Sequence, residues 1–204
     1  MLIVLEGIDG SGKSTVARFL AETLRTRGIE VLLTREPWDS EAGRRLRELL
    51  ALPKRASTPR EEFELFHEDR IQHVRQVVRP AQERGDWVVQ DRTFFSTAAY
   101  QGALGLDVEE ILALSRKVAP EPDLALFLSI DPTVALQRIS ASRPSYSSFE
   151  RLDYLREVDR NFRDLARTQR CFETIDASQS IDKVELQVLE TCERRLPLFP
   201  RTLR

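Results

Sequence analysis

Few folds accommodate the eight-residue run near the amino terminus, Gly7-Ile8-Asp9-Gly10-Ser11-Gly12-Lys13-Ser14, which matches the pattern GxxxxGK[ST] in full. It lies directly after an apolar run and directly before a helical pattern, where glycines let backbone N–H groups curl around phosphate oxygens. Lys13 is expected to reach the β and γ phosphates, and Ser14 to hold Mg²⁺. A tight glycine turn with a surface lysine is the competing interpretation, which the complete match disfavours. The predicted nucleoside triphosphate site comprises Gly7, Ile8, Asp9, Gly10, Ser11, Gly12, Lys13, Ser14 and Thr15.

Five apolar runs rich in Val, Ile, Leu and Phe predict five β-strands. They are continuously apolar rather than alternating, which is typical of strands covered on both faces, and helical patterns between them indicate parallel crossovers. The chain is therefore predicted to form an α/β three-layer sandwich, a five-stranded parallel sheet with helices on both faces. The predicted strands are Leu2–Leu5, Val31–Leu33, Trp87–Val89, Leu124–Ile130 and Phe172–Ile175.

Apolar spacing and capping residues predict the helices. The first helix is expected to end before Gly28, with one face formed by Val16, Phe19, Leu20, Thr23 and Leu24. A longer pattern runs from Pro59 to Arg84, with an apolar face formed by Phe63, Phe66, Val74, Val77 and Ala81. Pro80 is expected to kink or interrupt its last turns. Asp107 and Asp131 are predicted N-caps of two further helices.

A single domain, residues 1–204, is expected, because no repeat, linker or shift in composition divides the chain. Two cysteines without CxxC spacing suit a reducing compartment, and the apolar run at the amino terminus is too short for a signal peptide or a spanning helix. A cytoplasmic location is therefore expected. The serine-rich segment from Ser140 to Ser148 contains little apolar material and is expected to be a mobile loop.

Charge and asparagine content narrow the class of nucleotide-binding protein. The net charge of −2 predicts no attraction to nucleic acid or membranes, so any anion site must be local. Asn161 is the only asparagine, which excludes the NKxD motif by which GTPases read guanine. A motor or helicase needs more than one small domain and a face for a nucleic acid strand. A kinase acting on small molecules is therefore favoured.

Residues after the predicted strands resemble motifs of the thymidylate kinase family. The segment DRTFFSTAAYQG, residues 91–102, resembles the DR(Y)xxSxxAYQG of that family, and TREP at 34–37 is similar to the TREP of its bacterial members. Leu65-Phe66 with Asp69-Arg70 is similar to their LFxxxR motif, and the resemblance covers nearly the whole chain. It implies the fold of the P-loop nucleoside monophosphate kinases, nucleotide partners and usually a homodimer.

The resemblance also implies roles on the acceptor nucleotide. Phe66 would stack on thymine, Arg70 would hydrogen-bond a thymine carbonyl, and Thr97 would face the pyrimidine edge. Arg92 would hold the acceptor phosphate, and Tyr100 would crowd a ribose 2′-hydroxyl. Without the resemblance, Phe66 would more often be a core residue. The implied acceptor site comprises Asp9, Glu36, Pro37, Phe66, Arg70, Arg92, Thr97 and Tyr100.

Two carboxylates are implied near the phosphates. Asp9 resembles the family carboxylate that accepts the sugar 3′-hydroxyl. Asp91 follows the third strand, where it could orient water on Mg²⁺ held with Ser14. A plain ion pair between Asp91 and Arg92 is the alternative, but ligands of open α/β sheets bind beyond the carboxyl ends of strands.

A lid is expected at about residues 138–153, around the serine-rich loop. The resemblance implies that Arg138 stacks on adenine and that Arg143 moves onto the transferring phosphoryl group, with Arg151 as second candidate. Gly10 leaves the phosphate-binding loop without an arginine, as in the bacterial subtype whose lid supplies it. The implied catalytic residues are Lys13, Arg92, Arg143 and Asp9.

The expected reaction transfers the ATP γ-phosphoryl group to dTMP, with Mg²⁺, giving ADP and dTDP. One departure from the family is Trp38-Asp39-Ser40, where TREP usually continues Gly-Gly-Thr. Two alternatives therefore stay open. One is a kinase for a deoxynucleoside or another monophosphate, with Glu36 as base for a nucleoside hydroxyl. The other is a catalytically inactive, nucleotide-binding regulatory protein.

Overall fold

The computed structural model describes residues 1–52, 55–142 and 148–200, with side chains except at 140–142 and 148–151. The five predicted strands are confirmed and form one parallel sheet in the order β2-β3-β1-β4-β5. The central strands are buried along their lengths, whereas the edge strands are only partly covered. The strands are β1 (Leu2–Glu6), β2 (Val31–Arg35), β3 (Trp87–Asp91), β4 (Leu124–Ser129) and β5 (Phe172–Asp176).

Four strands extend one or two residues beyond the predicted ends, to Glu6, Arg35, Asp91 and Asp176. Apolar content gave no indication of these polar residues, but the ladder of a parallel sheet joins backbone groups whatever the side chain. Only β4 is shorter than predicted, ending at Ser129 rather than Ile130. The carboxyl edge of the sheet is therefore lined by polar side chains that belong to the strands.

Helices cover both faces of the sheet. The connection from β1 to β2 runs in one direction along the sheet and the later connections run in the other, so right-handed crossovers place them on opposite faces. On the first face, the first and last helices, α1 and α9, contact each other. On the second face, α8 contacts α5 and the strands β4 and β5. The helices are α1 (Lys13–Thr26), α2 (Glu41–Ala51), α3 (Pro59–His73), α4 (Arg79–Glu83), α5 (Phe94–Gly102), α6 (Val108–Ser115), α7 (Pro132–Ser142), α8 (Ser148–Thr168) and α9 (Ile181–Arg195).

The predicted interruption near Pro80 takes the form of a π-helical turn, Val74–Val78, between α3 and α4. Proline has no N–H to donate to the preceding turn, so the turn before it widens. The wider turn also changes which valine faces the core. Val78 is 1% exposed, whereas the predicted core residue Val77 is only half-buried.

The other helix signals are confirmed. Gly28 follows α1 at φ +80°, and Asp107 caps α6 through the N–H groups of residues 109 and 110. Asp131 accepts a bond from the N–H of Thr133 at 2.7 Å. The loop predicted at 140–148 is wrong at both ends, because α7 continues to Ser142 and α8 begins at Ser148, while residues 143–147 lie outside the described residues. Within the described ranges, no helix is long and apolar enough to cross a membrane.

Candidate active site

The site lies at the carboxyl edge of the sheet, where β1 and β3 are neighbours. Leu5 is paired with Asp91, so the loop after β1 and the dipeptide Asp91-Arg92 lie side by side. They enclose a cavity of about 280 Å³. Its lining residues are Asp9, Gly10, Gly12, Lys13, Ser14, Thr15, Asp91 and Arg92. The structure thus brings together residues that the sequence had assigned separately to phosphate, metal and acceptor.

Two glycines of this loop are required by close backbone contacts. A Cβ added at Gly7 would lie 2.7 Å from the carbonyl oxygen of Leu128, and one at Gly10 would lie 2.5 Å from that of Ala135. Gly10 also has a φ of +84°. Because α7 packs this closely, an arginine cannot replace Gly10 without moving the helix. Helix α1 begins after Gly12 without a side-chain cap, which leaves its first turn suited to a phosphate.

Lys13 is 5% exposed and its ammonium group is held at the floor of the loop. Nζ donates to the carbonyl of Ile8 at 2.8 Å and lies 3.4 Å from Oγ of Ser11. Burial lowers the pKa of Lys13 to about 8, with a further lowering from the positive charge of Arg92. The side chain is therefore still mostly charged at neutral pH.

Ser14 and Asp91 form a pair of oxygen ligands that fits Mg²⁺. Oγ of Ser14 donates to Oδ2 of Asp91 at 2.5 Å, and Oδ1 of Asp91 is buried without a hydrogen-bond partner. An orphaned carboxylate oxygen beside a hydroxyl offers hard ligands, and Mg²⁺ typically completes its shell with water and substrate phosphates. No cluster of three or more acidic, histidine or cysteine ligands occurs in the described part of the chain.

Arg92 lies at the centre of a compact polar cluster. Its guanidinium donates to Oδ1 of Asp9 at 2.6 Å and lies 5.1 Å from the ring centre of Tyr100. The phenol oxygen of Tyr100 in turn accepts from the N–H of Asp9 at 2.9 Å. Asp9 of the phosphate-binding loop and two residues of the 91–102 segment are therefore neighbours.

Glu6 is a site residue that sequence reasoning missed. It is fully buried and accepts bonds from Thr93 and Ser96, beside Arg92. Burial raises the pKa of Glu6 to about 7 despite these hydrogen bonds. The available signal was an acidic residue ending an otherwise apolar strand, where an unpaired charge would be costly.

Arg70 forms the centre of a second cluster, next to the first. It is 1% exposed, and its Nη2 lies 2.8 Å from Oε2 of Glu36 and 2.8 Å from Oγ1 of Thr97. Phe66 is half-buried one turn earlier on α3, on the same face as Arg70. Pro37 follows Glu36 through a cis peptide bond. Two of the predicted acceptor residues, Glu36 and Thr97, thus bind one buried guanidinium.

His73 is a further partner of Glu36 in this cluster. Its Nδ1 lies 3.3 Å from Oε1 of Glu36 and its Nε2 lies 2.7 Å from Oγ1 of Thr34. Burial would raise the pKa of Glu36, but Arg70 and His73 outweigh it and hold this pKa below its ordinary value. Glu36 is therefore a poor general base, which disfavours the nucleoside kinase alternative.

The unusual Trp38-Asp39 segment does not direct its charge into the site. The ring of Trp38 stacks on that of His73, with ring centres 5.8 Å apart, and the backbone N–H of Trp38 donates to Oδ2 of buried Asp69 at 2.7 Å. The side chain of Asp39 is 74% exposed and pairs with Arg47 at 2.6 Å. Trp38 therefore packs beside the acceptor cluster, and the charge of Asp39 is neutralised outside it.

The lid residues are only partly within the described structure. Arg138 is exposed on α7 and donates to the carbonyl of Ala177 at 3.2 Å, next to the loop after β5. Arg143 lies outside the described residues, and Arg151 belongs to α8 without a described side chain. The roles given to these arginines stay predictions.

Comparison with known proteins agrees with these motifs. Residues 5–188 match the family model described as thymidylate kinase. The chain is 39% identical to the probable thymidylate kinase of Archaeoglobus fulgidus over 97% of both chains. It is 40% identical to the thymidylate kinase of Desulfotalea psychrophila, over 97% of this chain and 96% of that one. The chain therefore belongs to the thymidylate kinase family.

Proposed function

We propose that this protein transfers the γ-phosphoryl group of ATP to the 5′-phosphate of dTMP, giving ADP and dTDP. The observation that carries the proposal is that Arg92 lines the phosphate cavity with Lys13 and is joined to the cluster around Arg70 through Gln90. Nε2 of Gln90 donates to the carbonyl of Arg92 at 2.9 Å and lies 3.2 Å from Oε1 of Glu36, the partner of Arg70. An acceptor monophosphate that reaches from this cluster to the cavity would present its phosphate to the ATP site.

The chemistry needs positioning and charge neutralisation more than a strong base. A nucleotide phosphate has a second pKa of about 6, so the attacking oxygen is already anionic at neutral pH. Lys13 would hold the β and γ phosphates, and Arg92 would hold the acceptor phosphate in line. Ser14 and Asp91 would hold Mg²⁺, which when bound neutralises phosphate charge.

Base and sugar selection would come from the second cluster and from Tyr100. Arg70 donates to a thymine carbonyl and Thr97 faces the pyrimidine edge, while Phe66 supplies an aromatic face. Asp9 would accept the sugar 3′-hydroxyl. Tyr100, fixed by its bond from the N–H of Asp9, would exclude a 2′-hydroxyl.

Closure, assembly and location complete the proposal. We infer one domain whose lid at 138–153 brings Arg143 to the phosphoryl group and Arg138 to adenine. A cytoplasmic homodimer is proposed from the family resemblance, and both cysteines are free thiols, as a reducing compartment favours. Light scattering after size exclusion tests the dimer, because a monomer mass at micromolar concentration contradicts it.

The test of activity is a coupled ADP-release assay with ATP and Mg²⁺ across dTMP, dUMP, dCMP, dGMP and AMP. Lys13→Ala is the blank, because it removes the phosphate-binding ammonium. A strong preference for dTMP is expected. Preference for another monophosphate would contradict the proposed acceptor pocket. ATP binding without turnover of any acceptor would favour the regulatory alternative.

A further inference from the structure

We propose that Glu6 is a positioning residue. It fixes Arg92, the residue that would hold the acceptor phosphate, through Ser96 and Thr93. The inference rests on the proposed function, since it gives Glu6 a task in the same site. It concerns a buried carboxylate that touches neither the phosphate cavity nor the acceptor cluster around Arg70.

The contacts of Glu6 all lead to the segment that follows β3. Oε1 accepts from the N–H of Thr93 at 2.8 Å and from its Oγ1 at 2.7 Å, and Oε2 accepts from Oγ of Ser96 at 2.5 Å. The same Ser96 oxygen accepts from Nη1 of Arg92 at 2.9 Å. A continuous chain of hydrogen bonds thus runs from the carboxylate to the guanidinium.

The backbone of Arg92 is held by β1 on both sides. Arg92 has a φ of +71°, and it is the one non-glycine residue with positive φ in the described part of the chain. Its own N–H donates to the carbonyl of Leu5 at 3.0 Å, and the next N–H, of Thr93, donates to Glu6. A left-handed conformation of a side-chain-bearing residue persists only where its surroundings enforce it. Glu6 supplies part of that restraint, with the carbonyl of Leu5 and the amide of Gln90, which donates to the carbonyl of Arg92 at 2.9 Å.

A carboxylate is needed because of the direction of the bonds. The hydroxyl of Ser96 has one proton, and donating it to Glu6 leaves the oxygen lone pairs for Arg92. In Glu6→Gln, the two donors of Thr93 would fix the amide oxygen, so the amide nitrogen would face Ser96. The Ser96 proton would then lose its acceptor, and the orientation of its oxygen towards Arg92 would no longer be fixed.

The kinetic test compares Glu6→Gln and Ser96→Ala with wild type. Both variants are expected to lower kcat/KM for dTMP by about tenfold or more, the scale of losing a hydrogen bond to a charged group. KM for ATP should change less than about twofold in Ser96→Ala, which removes no charge near Lys13 and no contact to the phosphate loop. The double variant should be no worse than Ser96→Ala alone, because the amide oxygen of Gln keeps both bonds from Thr93 and only the link through Ser96 is lost.

The matched control is Glu173→Gln, which removes another strand carboxylate. Glu173 lies on β5 and pairs with Arg194 and Arg195 of α9. It should leave both kinetic constants of dTMP unchanged. If Glu6→Gln does not fold, Ser96→Ala alone tests the link. Wild-type kcat/KM for dTMP in Ser96→Ala would overturn the proposal. So would a rise in KM for ATP in that variant as large as the fall in kcat/KM for dTMP.

An acceptor-independent readout separates this inference from the proposed function. The ¹⁵N–¹H signal of the Arg92 side chain, assigned by its loss in Arg92→Lys, should shift or broaden in Glu6→Gln and Ser96→Ala. A shifted signal in a protein that does not use dTMP would support the positioning of Arg92 and contradict the proposed function. An unchanged signal in an active enzyme would overturn the role of Glu6.

Discussion

ATP binding should take up protons above neutral pH, because Lys13 is partly deprotonated in the free protein. Burial and the charge of Arg92 lower the pKa of Lys13 to about 8, against the opposing carboxylates of Asp9, Asp91 and Glu6. A triphosphate in the cavity brings further negative charge to Nζ and favours the ammonium form. The lysine is therefore expected to be charged in the complex at every pH up to about 9.

The size of the effect follows from the pKa of about 8. In the free protein, Lys13 should be charged in about nine molecules of ten at pH 7, half at pH 8 and one of ten at pH 9. Binding then takes up about 0.1, 0.5 and 0.9 protons per ATP at these values. Apparent affinity for ATP weakens about tenfold, or about 1.4 kcal/mol, from pH 7 to pH 9.

The assay is isothermal titration calorimetry of Mg²⁺-ATP binding at pH 8 and 9, in buffers of different ionisation enthalpy. These pH values lie above the pKa of about 7 of Glu6, which limits its contribution. Lys13→Arg is the control, because a guanidinium stays charged in this pH range. The proton uptake on ATP binding should therefore vanish in this variant. Binding enthalpy independent of buffer at both pH values, or equal proton uptake in Lys13→Arg, would contradict the lowered pKa of Lys13.

Three further predictions concern single residues. Gly10→Ala forces a Cβ against the carbonyl of Ala135 at a residue with positive φ. Thermal unfolding should therefore occur several degrees lower, and ATP should bind more weakly. An unchanged melting curve would contradict this. Glu6 has a folded pKa of about 7 against an ordinary 4.5, so its contribution to stability is present below pH 4.5 and lost as pH rises through 7. The free energy of unfolding of Glu6→Gln, measured with denaturant relative to wild type, should therefore rise by about 2–3 kcal/mol from pH 5 to pH 8. A difference that stays constant with pH would contradict the raised pKa. Arg143→Ala should lower kcat by about a thousandfold, which is more than it raises KM. Normal turnover in this variant, with lost turnover in Arg151→Ala, would move the catalytic role to Arg151.

Local pattern was sufficient to predict the sheet and the phosphate loop. The strands are apolar runs and the loop is a contiguous motif, so both are visible without knowledge of the tertiary structure. The proximity of Asp91 and Arg92 to Lys13 was implied by the family resemblance, since the pattern of parallel strands alone does not give the order of the strands in the sheet. The pairing of Leu5 with Asp91 is the structural form of that expectation.

Long-range side-chain partners could not be read in the same way. Glu6 and Ser96 are 90 positions apart, and Glu36 and Arg70 are 34 apart, so neither pair has a local signal. The direction of Trp38 depends on where His73 lies, which in turn depends on the packing of α3 against β2. The widened turn before Pro80 shifted the buried position from Val77 to Val78, an effect that regular helical spacing does not contain.

The most direct test of the proposed function is identification of the product by ³¹P NMR, with dTMP and thymidine as parallel acceptors under ATP and Mg²⁺. Only the monophosphate can place a phosphate on Arg92 while its base reaches Arg70 and Thr97. We expect ADP and dTDP from dTMP, and no phosphorylated product from thymidine on the same timescale. Conversion of thymidine to dTMP at a comparable rate would contradict it.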